Sequence, residues 1–326
     1  MDYSVDTFEQ ARELTRRNAK TFYFASHALP PEKRLASYAL YSFCRYVDNI
    51  ADTGGDARAA RVQLDVTRNL LDHIYESDQQ LHRWSAFQET VRRNEIPKRY
   101  FLDLVDGVEM DLTAFSCSTY ADLQKYCYRV ASVVGLMMTR VFQPDNDEAL
   151  QYAEHLGTAM QLTNILRDIG EDYRMHRVYL PNDDMRDWGI GEEDLHKGEV
   201  TPAFRRFIQF QIARAREFYT KAKPGIALLP NDGSRYCVHV MSVLYSRILN
   251  AIEANEYDVF TRRAHVPLPE KIRLAASVAL QGQARPYFPR ISPGRRISGV
   301  KARSRDRLAQ YLPPESDTRK ECQPHE

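Results

Sequence analysis

Residues 161–172 read QLTNILRDIGED, and the fold turns on how this stretch is read. Met160, Leu162, Ile165, Leu166 and Ile169 give it the apolar content of a buried helix. Gln161, Asn164, Asp168 and Asp172 nevertheless recur at steps of three, four and four. At 3.6 residues per turn that spacing sets all four on one helix face. A polar stripe on an otherwise greasy helix is unfavourable unless it meets water, a cation or a ligand. Two carboxylates one turn apart, roughly 6 Å along the axis, suit hard cations that bridge to phosphate oxygens.

The pattern occurs a second time. Residues 38–52 read YALYSFCRYVDNIAD, with Tyr41, Arg45, Asp48 and Asp52 in phase and Leu40, Phe43, Val47 and Ile50 around them. A lone Asp-x-x-x-Asp is common on a solvated helix. Two of them on apolar helices, each extended by further polar residues in phase, point to a pair of facing acidic ladders that hold Mg2+, or Mn2+, on a diphosphate. Ionising an allylic diphosphate leaves a carbocation, which needs a dry cavity and is stabilised by aromatic faces. Phe22, Tyr41, Tyr128 and Tyr245 stand on the helices expected to line it.

The remaining periodicities are also helical. Helices are expected at Asp6–Arg17, from Pro31 through Asp52, and then at Ala59–Ser77, Leu81–Asn94 and Lys98–Ala114. Residues 120–142 read as a central helix whose Ala131, Ser132 and Gly135 permit a close neighbour. Further helices are expected at Glu148–Tyr173, Thr201–Ala222, Ser234–Asn255 and Lys271–Gln281. No sustained period-two alternation interrupts them, so the expected fold is all-α: a single-domain bundle of eight to ten helices around a central cavity. From Ala284 onward prolines and Arg295, Arg296, Lys301, Arg303, Arg305 and Arg307 dominate. The chain thus divides into a helical domain at 1–283 and a basic, Pro-rich tail at 284–326, expected to be largely disordered.

Composition narrows the function. The 326 residues are 43% hydrophobic with a formal net charge of +1, which argues against a general nucleic-acid binder. Five cysteines lack metal-site spacing and read as reduced thiols of a cytoplasmic protein. No signal-peptide core opens the sequence, and no apolar run reaches the ~20 residues that span a bilayer.

Taken together, AKTFYFAS (19–26), the 38–52 stretch, YCYRVASVVG (126–135), QLTNILRDIGEDYRMHRVYLP (161–181) and residues 244–271 resemble the squalene/phytoene synthase family over roughly residues 15–280. The resemblance implies an isoprenoid-synthase-type helical bundle that joins two prenyl diphosphates head to head through a cyclopropylcarbinyl diphosphate. It implies Asp48, Asp52, Asn164, Asp168 and Asp172 as the metal-binding set, completed by Gln161, with Tyr41 and Arg45 beside the reacting groups. It places Lys20 and Thr21 in a phosphate-contacting segment, Tyr245 and Arg262 at the diphosphate site, Tyr128 in the cavity, and Arg177 in a flap that closes over phosphate.

The Ala-Lys-Thr-Phe-Tyr form at 19–23 is similar to that of phytoene synthases. The expected reaction is therefore condensation of two geranylgeranyl diphosphates to phytoene, with Mg2+ and without NADPH. Farnesyl diphosphate is the alternative substrate, giving presqualene diphosphate, dehydrosqualene or squalene. A non-catalytic assembly factor on this fold loses the carboxylates that are present here, and a class I terpene cyclase has a different second motif. A long-chain hydrocarbon product leaves into lipid, so peripheral contact with the inner face of the membrane is expected.

Overall fold

The computed structural model describes residues 6–52, 56–77, 79, 81–112, 116–282 and 284–287, with the side chain of Asp52 outside that set. Among the described residues are fourteen α-helices. The first four are α1 (Phe8–Asn18), α2 (Lys20–Ser26), α3 (Pro31–Asp52) and α4 (Ala57–Glu76). After a 3-10 turn at His82–Trp84 come α5 (Ser85–Arg93), α6 (Lys98–Met110) and α7 (Tyr120–Cys127). A π-helical turn at Tyr128–Ser132 leads into α8 (Val133–Phe142), followed by α9 (Glu148–Arg174). The remainder are α10 (Asn182–Asp187), α11 (Glu192–Lys197), α12 (Pro202–Ile226), α13 (Ser234–Ala254) and α14 (Leu268–Leu280). The only bridge of β type described is a single pair, Ser116 with Val178. One compact unit takes in residues 1–287. The expected tail falls outside the described residues except for 284–287.

Local chemistry sets the ends of these helices. Thr7 and Gln10 form a reciprocal capping box at the start of α1. Pro31 opens α3 with Glu32 in its first turn, where the helix dipole favours an acid. The helix count exceeds the sequence expectation for three reasons, the first being that the π turn at Tyr128–Ser132 divides the single helix expected at 120–142 into α7 and α8. Ala19 leaves helical geometry and separates α1 from α2. The connection after Arg177, read as irregular, folds two short helices, α10 and α11.

Packing fixes the two acidic helices. Phe43 stacks on Phe87 at 4.4 Å between centroids and meets Phe101 edge-on at 5.3 Å, which buries one side of α3 against α5 and α6. Burying each such ring is worth about 1.5–3 kcal/mol. The side of α3 away from this cluster carries Tyr41, Cys44 and Asp48 in phase, and those three line a cavity. α9 sits centrally, against α8, α12, α13 and the π turn. As Ala131, Ser132 and Gly135 suggested, the approach here is close: Ser132 Oγ donates to Glu154 O at 2.8 Å and lies 3.0 Å from Thr158 Oγ1.

Candidate active site

A cavity of about 370 Å3 runs between α3, α8, α9, α12 and α13. One end is polar, with Tyr41, Asp48, Gln161, Asn164 and Tyr245 in its wall. The rest is apolar, with Leu104, Val134, Met138, Leu156, Met160 and Met241 among its lining residues. Phe22 joins Tyr41 at the polar end, their rings 6.2 Å apart. Asn164 Nδ2 lies 3.4 Å from Gln161 Oε1, so the polar stripe of α9 is continuous.

A second cavity of about 320 Å3 adjoins the first, and Tyr245 lines both. Its wall includes Thr21, Arg167, Arg263, His265 and Lys271. Lys271 Nζ donates to Thr21 Oγ1 at 2.7 Å. Burial and the nearby Lys20 push the Lys271 ammonium below its ordinary value. A pocket this rich in fixed cations is made to receive a polyanion.

Asp168 stands beside that basic wall. It accepts from Arg167 Nε at 2.8 Å, and from Arg263 Nε at 2.9 Å and Nη2 at 3.0 Å. Burial opposes its ionisation, but the two guanidiniums hold the carboxyl below the usual range. Asp172, one turn on, has no such fork. Burial and the Asp168 charge push it up from 3.8 to about 7, with Arg177 opposing. Burial likewise raises the Tyr41 hydroxyl to about 12, opposed by Arg45 and reinforced by Asp48. Tyr245 is raised by burial too, and it feels both Arg167 and Asp168.

Arg177, expected in a flap, spans the ends of the two acidic helices. Its backbone N donates to Asp172 O at 2.9 Å, and its Nη2 reaches Ala51 O at 3.3 Å on α3. Tyrosines anchor the segment that follows: Tyr179 and Tyr126 donate to the two oxygens of Asp111 at 2.8 and 3.0 Å, and their rings stack at 4.8 Å.

Most of the residues picked from sequence therefore converge. Tyr41, Asp48, Gln161, Asn164, Phe22 and Tyr245 line the main cavity, and Thr21 lines the basic one. Arg45 lies near Tyr41, and the exposed Lys20 lies near Lys271. α3 carries Asp52 at its last position, with nothing described of its side chain.

Two picks land elsewhere. Tyr128 is absent from the cavity wall and feels Asp103 and Glu154 instead. It begins the π turn, whose extra residue per turn rotates side chains out of 3.6 phase and brings Val130 and Ala131 to the cavity. Arg262 is 70% exposed and pairs only loosely with Asp258, at 4.0 Å. Its neighbour Arg263 reaches Asp168. The Asp258 carboxylate accepts from the backbone N of Phe260 and Thr261, turning the chain there. Gly170 then lets this turn press onto α9: a Cβ would lie 2.8 Å from Phe260 Cα. The backbone N of Gly170 donates to Val259 O at 3.3 Å.

Sequence reading missed Arg167, Arg263, Lys271, Asp111, Tyr126 and Tyr179. Arg167 was visible inside QLTNILRDIGED but lies off the four-residue stripe. The others depend on contacts between distant segments, such as Lys271 with Thr21, for which no local spacing gives a signal.

The donor set fits Mg2+. Among the described residues no three His, Cys, Asp or Glu side chains group closely enough to cage a cation. Asn164, Asp168 and Asp172 on α9, with Asp48 across the cavity on α3, make an open set. Mg2+ takes one or two carboxylates and completes its shell with water and phosphate oxygens.

Comparison with known proteins gives the same picture. The Squalene/phytoene synthase family model matches residues 15–270. The 15-cis-phytoene synthase of Synechococcus elongatus is 38% identical over 279 residues, covering 82% of this chain and 90% of that one. The phytoene synthase of Arthrospira platensis is 39% identical over 280 residues, with coverage of 82% and 90%. A crystal structure of a dehydrosqualene synthase with bound ligand superposes with a TM-score of 0.78 at 28% identity, covering 85% of this chain and 96% of that one.

Proposed function

The chain belongs to the squalene/phytoene synthase family, and from that premise we propose that it condenses two molecules of geranylgeranyl diphosphate head to head into phytoene. The net reaction joins the two C1 carbons and releases two diphosphates and two protons, through a cyclopropylcarbinyl diphosphate. One observation carries the reading: an apolar cavity opens at one end onto Asp48, Gln161 and Asn164, beside a pocket walled by Arg167, Arg263 and Lys271. Diphosphate belongs in the basic pocket and the prenyl chains in the apolar one.

Asp48, Asn164, Asp168 and Asp172 would hold Mg2+, which would supply neutralisation of diphosphate charge and so a better leaving group. The chain's own residues do the rest. Arg167 and Arg263, now forked onto Asp168, are positioned to transfer their hydrogen bonds to phosphate oxygens. Arg177 joins the ends of α3 and α9, and so closes the polar end against water. The faces of Phe22, Tyr41 and Tyr245 stabilise allylic cations in the cavity. Tyr41, held protonated by burial, is a hydrogen-bond donor in character and does not act as a base at neutral pH.

Farnesyl diphosphate is the second reading, favoured by the likeness to a dehydrosqualene synthase structure. The test is incubation of purified protein with C15 or C20 diphosphate, with Mg2+ or EDTA, with and without NADPH, followed by mass spectrometry. Phytoene from the C20 substrate with Mg2+ alone is expected. A C30 product that requires NADPH replaces this reading with a squalene synthase, and the absence of any hydrocarbon refutes both. No helix among the described residues is long and apolar enough to cross a membrane, and the basic 295–307 stretch supports peripheral attachment to an anionic surface.

A further inference from the structure

The apolar end of the main cavity has a defined floor. Along α9 the wall is built from Asn164 at the polar end through Leu156 and Tyr152 to Ala149, the last lining residue of that helix. Those fifteen helical steps correspond to about 22 Å at 1.5 Å per residue. Below Ala149 the cavity meets Phe142 at the end of α8 and Leu229 just after α12, both nearly fully buried. The floor is braced from outside: Lys33 Nζ donates to Phe142 O at 2.7 Å and to Asp232 Oδ2 at 2.8 Å. Tyr152 is pinned across the helix pair, since a Cβ on Gly225 would lie 2.1 Å from Tyr152 Cβ.

Prenyl chains can be laid against that length. An extended chain advances roughly 1.25 Å per carbon–carbon bond, given bonds of about 1.5 Å. The sixteen-carbon main chain of a geranylgeranyl group therefore spans about 19 Å, a farnesyl group about 14 Å and a C25 group about 24 Å. With C1 at the level of Asn164, the C15 tail ends near Leu156. The C20 tail reaches the turn between Tyr152 and Ala149. The C25 tail collides with Phe142 and Leu229.

We propose that the Ala149 turn of α9 and the Phe142–Leu229 floor are the chain-length ruler of this protein, selecting C20 over C25 and leaving the last turn empty under C15. This rests on the proposed prenyl diphosphate chemistry. It adds the residues that measure the substrate.

Two variants test it. Ala149→Phe fills the last turn, and Phe142→Ala removes the floor. A single surplus methylene in a closed apolar pocket discriminates by about 10–200-fold. Ala149→Phe is therefore expected to lower the C20:C15 ratio of kcat/KM at least about tenfold, and Phe142→Ala to raise the C25:C20 ratio at least about tenfold. Circular dichroism checks folding, and calorimetric binding of the unreactive C15, C20 and C25 thiolodiphosphates gives the same ratios without turnover. An unchanged C20:C15 ratio in folded Ala149→Phe overturns the ruler. If that variant does not fold, an unchanged C25:C20 ratio in Phe142→Ala overturns it. Wild-type protein that turns over neither C15 nor C20 diphosphate refutes the proposed function instead, and the binding ratios then decide the ruler alone.

Discussion

Replacing Asp172 with Asn should make the metal-free protein more stable and the loaded protein inactive. The folded chain raises this carboxyl from 3.8 to about 7, through burial and the neighbouring Asp168 charge. Below about pH 4 both folded and unfolded chains hold the proton, and Asp172 contributes nothing to the pH dependence. Between pH 4 and 7 only the folded chain retains it, so stability falls as pH rises through that window. Above pH 7 the folded chain carries an unfavourable buried charge costing about 4 kcal/mol, at 1.36 kcal/mol per tenfold change. Asn is nearly isosteric and carries no charge. In EDTA at pH 8, Asp172→Asn should therefore gain about 2–4 kcal/mol in urea unfolding, or roughly 3–7 °C in Tm, and should match wild type near pH 4. Saturating Mg2+ with diphosphate should restore the wild type by mass action but not the variant. A variant no more stable than wild type at pH 8 without metal refutes the electrostatic reasoning. Full activity in the variant refutes the metal-binding role.

Further outcomes follow from the same geometry. Arg263→Ala should lower kcat/KM for prenyl diphosphate at least about tenfold by removing a charge-assisted phosphate contact, whereas the exposed Arg262→Ala should change it less than about twofold; equal effects in a steady-state assay would refute the distinction, and a larger loss in Arg262→Ala would exchange their roles. Gly170→Ala places a Cβ 2.8 Å from Phe260 Cα and should cost about 1–3 kcal/mol, with loss of activity because the turn carrying Arg263 is displaced; native stability in chemical denaturation counts against the close approach. Asp48→Ala should abolish hydrocarbon formation while leaving far-ultraviolet circular dichroism unchanged, and near-normal product by mass spectrometry removes Asp48 from the metal set.

The all-α fold and the polar stripes at one end of the cavity were legible in the sequence because helix phase is local. Asp48 and Tyr41 share a face of α3, and Gln161, Asn164, Asp168 and Asp172 share one of α9, through backbone geometry alone. The long apolar helices could only be stable if buried together. The π turn took Tyr128 out of the cavity. Arg262, expected at the diphosphate site from the family resemblance alone, lies exposed, and its neighbour Arg263 meets Asp168.

Phase also says nothing about partners from other segments. That Lys271 meets Thr21, that Arg263 shares Asp168 with Arg167, and that Asp111 anchors Tyr126 and Tyr179 were decided by packing between residues far apart in the chain. The depth of the cavity was decided in the same way, because its floor is assembled from α8, α9 and the end of α12. Residue types and spacing determined which chemistry this protein carries. Only the tertiary structure, which brings those distant side chains within reach of one another, decided how the charges are shared and how deep the cavity runs.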